Sequence, residues 1–147
     1  SRRKQFASQF AVWLLEEYRK PVKEALRKSK RFLPQESIYS LAESVSGILQ
    51  LGNMTGEGWF LTAEMIELIN SGVPNIACIQ PFACLPNHVT GKGMIKELRR
   101  RYPEANVSPI DFDPGASEVN QLNRLKLLLA NAKEGKHPDE TKTAVDW

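Results

Sequence analysis

The spacing of hydrophobic positions divides the chain into a helical first half and a second half in which strands and helices alternate. In the first half, apolar residues recur every three or four positions, which predicts amphipathic helices over residues 2–30, 38–49 and 60–69. Pro21 lies inside the first of these patterns, where a proline either kinks a helix or opens a new one. The N-terminal part of the chain therefore reads as purely helical.

The hydrophobic period changes after Val73. A short continuous apolar run over residues 73–79 predicts a strand buried inside a parallel sheet. A helical pattern over 94–102, a second strand over 106–113 and a last helix with Ser117 as its N-cap follow. We expect a small parallel, Rossmann-like βαβα sheet with additional N-terminal helices. Because two strands make a small sheet for such a core, we also expect a further strand from this chain, another domain or another chain.

Composition narrows the function classes. The 147 residues suit one domain, and 41% hydrophobic and 25% charged residues are typical of a globular protein. No apolar run approaches the roughly 20 residues that span a bilayer, so we expect no membrane partner. The net charge of +3 is too small to indicate nucleic acid, and a cluster of Lys and Arg over 19–31 is expected to be a solvated face.

Cysteine usage and the first residue bear on context. Two cysteines make no disulfide framework, which favours a cytoplasmic protein. The sequence begins with Ser1 rather than Met, and we expect it to be a piece of a longer protein.

The loop over residues 80–93 has the most unusual composition in the chain. Cys84 lies between Pro81 and Pro86, close to the start of a helix, where the local field favours a thiolate that can bind a metal or attack an electrophile. The alternative is that Cys84 is a small buried hydrophobe. Cys78 lies within the strand and is predicted to be a core residue.

Four weaker signals lie in the same loop and after it. Cys84 and His88 could offer two zinc ligands where structural zinc needs four, so His88 could equally orient the turn through backbone carbonyls. The segment Thr90–Gly93 could bind an anion through backbone N–H groups and Lys92, or be a flexible helix entry. A cysteine nucleophile with His88 as base lacks an orienting residue. The acids at 111 and 113 fail the EF-hand spacing and are expected to cap the last helix or bind a loop.

Three motifs together resemble the C-terminal part of CoA-substrate-specific enzyme activases, which are related to the 2-hydroxyacyl-CoA (2-hydroxyglutaryl-CoA) dehydratase system. The motifs are Thr55-Gly56-Glu57-Gly58-Trp59, Gln80-Pro81-Phe82-x-Cys84-Leu85-Pro86-Asn87-His88-x-x-Gly91-Lys92-Gly93 and Asp113-x-Gly115-Ala116-Ser117-Glu118-x-Asn120-Gln121-x-Asn123-Arg124. The middle motif is specific. We expect a helical segment over 1–35, a dehydratase- or activase-related module over 36–133 and a polar tail over 134–147.

The resemblance implies a cytoplasmic, oxygen-sensitive system. In it, an ATP-hydrolysing activator passes an electron to a dehydratase with a four-iron four-sulfur cluster, which reduces an acyl-CoA before water leaves. By this resemblance Cys84 would be a cluster ligand, while Asn87 and His88 would orient and tune the metal site. Gly91, Lys92 and Gly93 would complete the cofactor-binding residues.

Ligand counting limits what this chain could do alone. A four-iron cluster normally takes four protein ligands, the sequence has two cysteines, and the activator's nucleotide-binding segment is not in it. We therefore expect a partial module, not an enzyme in isolation, that contributes one wall of a cluster or CoA-related site. The other walls would come from the remaining domains of the parent chain or a dehydratase-type partner, with acyl-CoA as a candidate ligand. The alternative is a non-catalytic phosphate- or CoA-binding or scaffolding domain.

Overall fold

The computed structural model describes residues 2–29, 32, 34 and 36–135 of the chain. These residues form five α-helices and two strands. One π-helical turn and one 3₁₀ turn lie between the first strand and the fourth helix. In chain order the elements are α1 (Arg2–Lys28), α2 (Ile38–Val45), α3 (Trp59–Asn70), β1 (Asn75–Gln80), α4 (Ile95–Arg101), β2 (Asn106–Asp111) and α5 (Glu118–Glu134). The prediction of a small mixed α/β fold with a parallel sheet and N-terminal helices is confirmed. Most of the predicted polar tail lies outside the described residues.

The chain divides between Ser37 and Ile38 into two units, and α1 belongs to the first. Pro21 lies inside α1 and does not end it. One ion pair spans this proline, because Glu16 contacts Lys23 at 3.1 Å, and Glu16 and Glu17 also pair with Arg19 and Lys20 just before it. The basic face of α1 is therefore partly neutralised by its own acids, as expected for a solvated surface.

In the second unit, β1 and β2 run parallel, with Ile76 paired to Val107. One face of this sheet packs against helices α2, α3 and α4, and its core consists of Leu41, Val45, Ala63, Met65, Ile66, Ile69, Ile76, Ile95, Leu98, Ala105 and Val107. On the other face α5 lies over β2, where the Asn106 amide donates to the Leu128 carbonyl at 3.0 Å. The order β1, helix, β2, helix follows the predicted βαβα pattern.

Two predicted helix boundaries differ from the observed ones. α2 ends at Val45, four residues earlier than its apolar pattern. There the Ser44 and Ser46 hydroxyls donate to the carbonyls of Leu41 and Glu43, which competes with continued helix. The helical region before α4 begins earlier than Met94, because a π-helical turn (Asn87–Gly91) and a 3₁₀ turn (Lys92–Met94) precede it.

The last turn of α4 is held by one carboxylate. Glu97 accepts hydrogen bonds from Arg100 and Arg101, and Arg101 also donates to the Gly47 carbonyl at 2.6 Å, which ties α4 to the turn after α2. The hydrogen bonds from Arg100, then those from Arg101, lower the pKa of Glu97 from 4.5 to about 2. Because this pKa is lowered in the folded chain, its stabilising effect is present above pH 4.5 and is lost as the pH falls towards about 2.

We predict that Glu97→Gln lowers the urea midpoint at pH 7 and that the gap from the parent chain closes between pH 4.5 and about 2. The effect is modest, because the pair is partly exposed to solvent. The measurement is urea unfolding followed by circular dichroism at several pH values. High salt serves as a control, since screening must narrow the gap at pH 7. A gap that is independent of pH would contradict the assignment.

Candidate functional site

The loop after β1 places Cys84 at the start of a helical region, three residues before the π-helical turn. Ala83 has φ of +58°, and among the described residues it is the one non-glycine with a positive φ. An alanine there costs about 1–2 kcal/mol, so the surrounding contacts hold the turn in place. The Cys84 N–H donates to the Pro81 carbonyl at 3.3 Å, which closes the turn. The partly buried thiol thus follows a strained, tightly closed corner.

Cys84 is contacted by both polar residues that follow it. The Asn87 amide donates to Cys84 Sγ, with Nδ2 and Sγ 3.0 Å apart. His88 Nδ1 lies 2.9 Å from the Cys84 carbonyl oxygen. Because a carbonyl only accepts, Nδ1 carries the hydrogen in this contact, and in the neutral ring the lone pair is on Nε2. The sequence predicted all three as site residues, and the structure brings them together.

The partner of the thiol bears on the nucleophile hypothesis. Among the described hydrogen bonds, Sγ of Cys84 is joined to the Asn87 amide and not to a His88 ring nitrogen. An amide N–H stabilises a thiolate without being able to remove its proton. The contact of His88 with a backbone carbonyl is instead the turn-orienting alternative left open by the sequence. This arrangement does not favour a cysteine–histidine catalytic pair.

Gly91 and Gly93 occupy close-packed positions. A Cβ added to Gly91 would lie 3.4 Å from Cys78 Sγ, so the π-helical turn rests directly on β1. One added to Gly93 would lie 3.0 Å from the His88 carbonyl oxygen. The Lys92 N–H donates back to carbonyls of the π-helical turn. The geometry gives both glycines a packing role, whereas the predicted binding roles of Gly91, Lys92 and Gly93 stay predictions.

The π-helical turn is also held by contacts with α3 and with the loop that precedes α3. Thr62 in α3 donates to the buried Thr90 carbonyl, and the Thr90 hydroxyl donates to Pro86 O at 2.8 Å. A Cβ on Gly56 would lie 3.0 Å from Pro86 Cγ. The first motif of the resemblance, at 55–59, therefore packs against the middle one. No signal in the sequence pointed to this contact.

The carboxyl ends of the two strands meet through side chains. Gln80, the last residue of β1, is 1% exposed, and its amide donates to Asp111 Oδ1 at 2.7 Å. The Phe112 N–H donates to the Gln80 carbonyl at 2.8 Å, and Gln121 of α5 reaches the Asp111 carbonyl at 3.2 Å. The side-chain oxygen of Gln80 is buried without a hydrogen-bond partner. The sequence placed Gln80 in the middle motif but assigned it no role, because its contact with Asp111 depends on the pairing of two strands.

A cleft of about 560 Å³ opens beside these strand ends. Its volume is in the range of small-molecule sites. Cations, acids and amides line it together with a few apolar side chains, and the residues are Phe82, Lys92, Pro109, Ile110, Asp111, Asp113, Gly115, Ala116, Ser117, Asn120, Gln121, Asn123 and Arg124. The cleft joins the third motif to Phe82 and Lys92 of the middle one. Cys84 does not line it, so thiol and cleft are two neighbouring features.

The cleft has mixed charge. Lys92 and Arg124 oppose Asp111 and Asp113, and Asp113 Oδ1 also accepts the Gly115 N–H at 2.9 Å, which shapes the loop as expected for a turn acid. α5 begins here with Ser117 at its N-cap, whose side chain makes no capping hydrogen bond. The first-turn N–H groups of a 17-residue helix are thus left for another acceptor.

Cys78 behaves as the sequence predicted for a core position. It packs against the hydrophobic core, and burial raises the pKa of its thiol. A neutral thiol in this position is a poor metal ligand. Among the described residues, no group of three or more His, Cys, Asp or Glu side chains could hold a metal ion. The described residues therefore do not form a site for a complete four-iron cluster, which normally takes four protein ligands.

None of the described helices is long and apolar enough to cross a membrane. No model of a protein family, no curated protein and no solved structure matches this chain. The functional argument therefore rests on the residues and contacts described above.

Proposed function

We propose that this chain is a module of a 2-hydroxyacyl-CoA dehydratase- or activase-type iron–sulfur protein and supplies one wall of a cluster site. In this proposal the module is Rossmann-like, works in the cytoplasm and has no enzymatic activity alone. The remaining cluster ligands come from other domains of the parent chain or from a dehydratase-type partner. The role assigned to Cys84 is that of a single cluster ligand.

The contact between the Asn87 amide and the Cys84 thiol is the observation that carries this proposal. Asn87 Nδ2 lies 3.0 Å from Cys84 Sγ, so the sulfur already accepts an N–H hydrogen bond. Hydrogen bonds to sulfur stabilise a metal-bound thiolate and tune its potential. Ala83 holds this thiol at a corner after a parallel strand, the edge where open α/β sheets bind ligands.

His88 and the packing beneath it support the same assignment. The ring is fixed by its contact with the Cys84 carbonyl, so it lies beside the thiol's own backbone and can shield or orient that corner. The π-helical turn packs against Cys78 of β1 at Gly91. This contact fixes the turn, and with it the position of Cys84 just before the turn. A bound cluster would supply one-electron chemistry; the residues of this chain would hold, orient and tune one corner of it.

We predict that Cys84→Ser lowers the iron content of the complete polypeptide after anaerobic expression, while Cys78→Ser, the matched control, retains it. Asn87→Ala should weaken iron retention about tenfold, the size of effect typical for partners of metal ligands. Iron per chain and visible absorbance are the measurements. Unchanged cluster content and stoichiometry in Cys84→Ser would remove the ligand role.

The cleft favours a second candidate, a non-catalytic site for CoA or another phosphate-bearing ligand. Lys92 and Arg124 are two cations in its lining, and the start of α5, which the Ser117 side chain does not cap, offers backbone N–H donors. Asp111 and Asp113 would repel a bare phosphate, whereas a ligand with hydroxyl donors could bond to them. The sequence predicted Lys92 as a binding residue, whereas Arg124 appeared there only as the last residue of the third motif.

If this second function is correct, Lys92→Ala weakens CoA binding about tenfold, because a charge-assisted hydrogen bond contributes roughly 1.5–3 kcal/mol. Calorimetry with CoA and, separately, inorganic phosphate measures this on the chain itself. Lys96→Ala is the control, since Lys96 is an exposed lysine of α4 that does not line the cleft. Absence of CoA binding by the chain and by the complete polypeptide would exclude this function.

A further inference from the structure

The two outer edges of the parallel sheet differ in their hydrogen-bonding groups. The N–H groups of Asn106 and Phe112 donate to the carbonyls of Pro74 and Gln80. Because backbone groups alternate along a strand, every second residue between them faces the other strand. On β2 the residues that point outward are therefore 107, 109 and 111, and on β1 they are 75, 77 and 79.

The outer edge of β2 is closed to another strand. Pro109 has no N–H, so an outward donor is missing at the middle of this edge. The carbonyl of Val107, which also points outward, accepts a hydrogen bond from Arg99 Nη2 of α4 at 2.7 Å. A proline and a covering side chain are devices that protect a terminal strand from pairing. β2 is built as the last strand of its sheet.

The outer edge of β1 has none of these devices. Among the described hydrogen bonds, none reaches the backbone groups of Ala77 or Ile79. Ala77 is exposed, and Ile79, the last apolar residue of β1, is 58% exposed. No Lys, Arg, Asp or Glu occurs between Val73 and Phe82. Natural terminal strands usually carry such charges, so this edge has the character of an interior strand.

The exposed side chains of β1 lie on the same face of the sheet as α5, which packs on the neighbouring strand β2. Asn75, Ala77 and Ile79 share that face with Asn106, Ser108 and Ile110 of β2. The β2 residues are buried there, whereas all three β1 residues are exposed. Among the described elements of the second unit, α5 therefore covers the β2 half of this face and no helix covers the β1 half. Parallel sheets are normally covered on both faces.

We propose that β1 is an interior strand whose open edge receives a parallel strand and its helix from the larger polypeptide of which this chain is a module. The inference rests on the proposed function, which makes the larger polypeptide the source of this strand and helix. A strand would satisfy the outward groups of Ala77 and Ile79, and its helix would cover the Ile79 side chain. Pairing of two copies through β1 fits less well, because each α5 would stay over its own β2 and leave Ile79 uncovered.

The test compares hydrogen exchange in the 147-residue chain with exchange in the complete polypeptide encoded by its reading frame. In the 147-residue chain we expect the amides of Ala77 and Ile79 to exchange at least about tenfold faster than that of Cys78, which points to β2. In the complete polypeptide the amides of Ala77 and Ile79 should slow by about tenfold or more. Ile79→Lys should lower the unfolding midpoint of the complete polypeptide by about 3–6 °C and barely change that of the 147-residue chain. Tyr39→Lys, an exposed position on α2, is the control and should leave both midpoints unchanged.

Three results would overturn the proposal. These are fast exchange of Ala77 and Ile79 in the complete polypeptide, a reading frame that encodes no further strand and helix, and protection that depends on the concentration of the 147-residue chain alone. The last result would identify a second copy as the occupant. Cys84→Ser separates this proposal from the cluster proposal, because loss of iron must leave exchange at Ala77 and Ile79 unchanged.

Discussion

The parallel pairing of β1 with β2 is the constraint on which the rest of the second unit depends. Because the two strands run in the same direction and in register, the loops that follow Gln80 and Asp111 leave from one edge. The Gln80 amide on the Asp111 carboxylate and the Phe112 N–H on the Gln80 carbonyl join these exits directly. The parallel direction of the two strands therefore places the corner at Ala83 and Cys84 (the thiol corner) next to the cleft.

The thiol corner is positioned by packing from beneath. Gly91 packs against Cys78, whose Sγ would lie in van der Waals contact, at 3.4 Å, with an added Cβ, and Thr62 donates from α3 to the Thr90 carbonyl. Leu98, fully buried in the same helical region, anchors the α4 end in the core. π-helical turns often accompany functional sites. Here Asn87, the first residue of the turn, contacts the Cys84 sulfur three residues before it.

Much of this could be predicted from hydrophobic spacing, because period changes mark helices and strands even in one sequence. The order of the elements, the parallel strands and the grouping of Cys84 with Asn87 and His88 follow from such local patterns. The π-helical turn, the Gln80–Asp111 bond and the part of Arg124 in the cleft do not, since each depends on residues brought together from distant segments. Ser117 shows the same limit: its N-cap position was predictable, but the missing capping bond was not.

The pairing of the strand ends can be measured directly by NMR, through the scalar coupling across the hydrogen bond from the Phe112 N–H to the Gln80 carbonyl, whose heavy atoms are 2.8 Å apart. A detectable coupling, together with slow exchange of the Phe112 amide, is the expected result. Absence of the coupling with exchange of Phe112 at the rate of an unfolded chain would contradict it, because the two loops would then have no common edge.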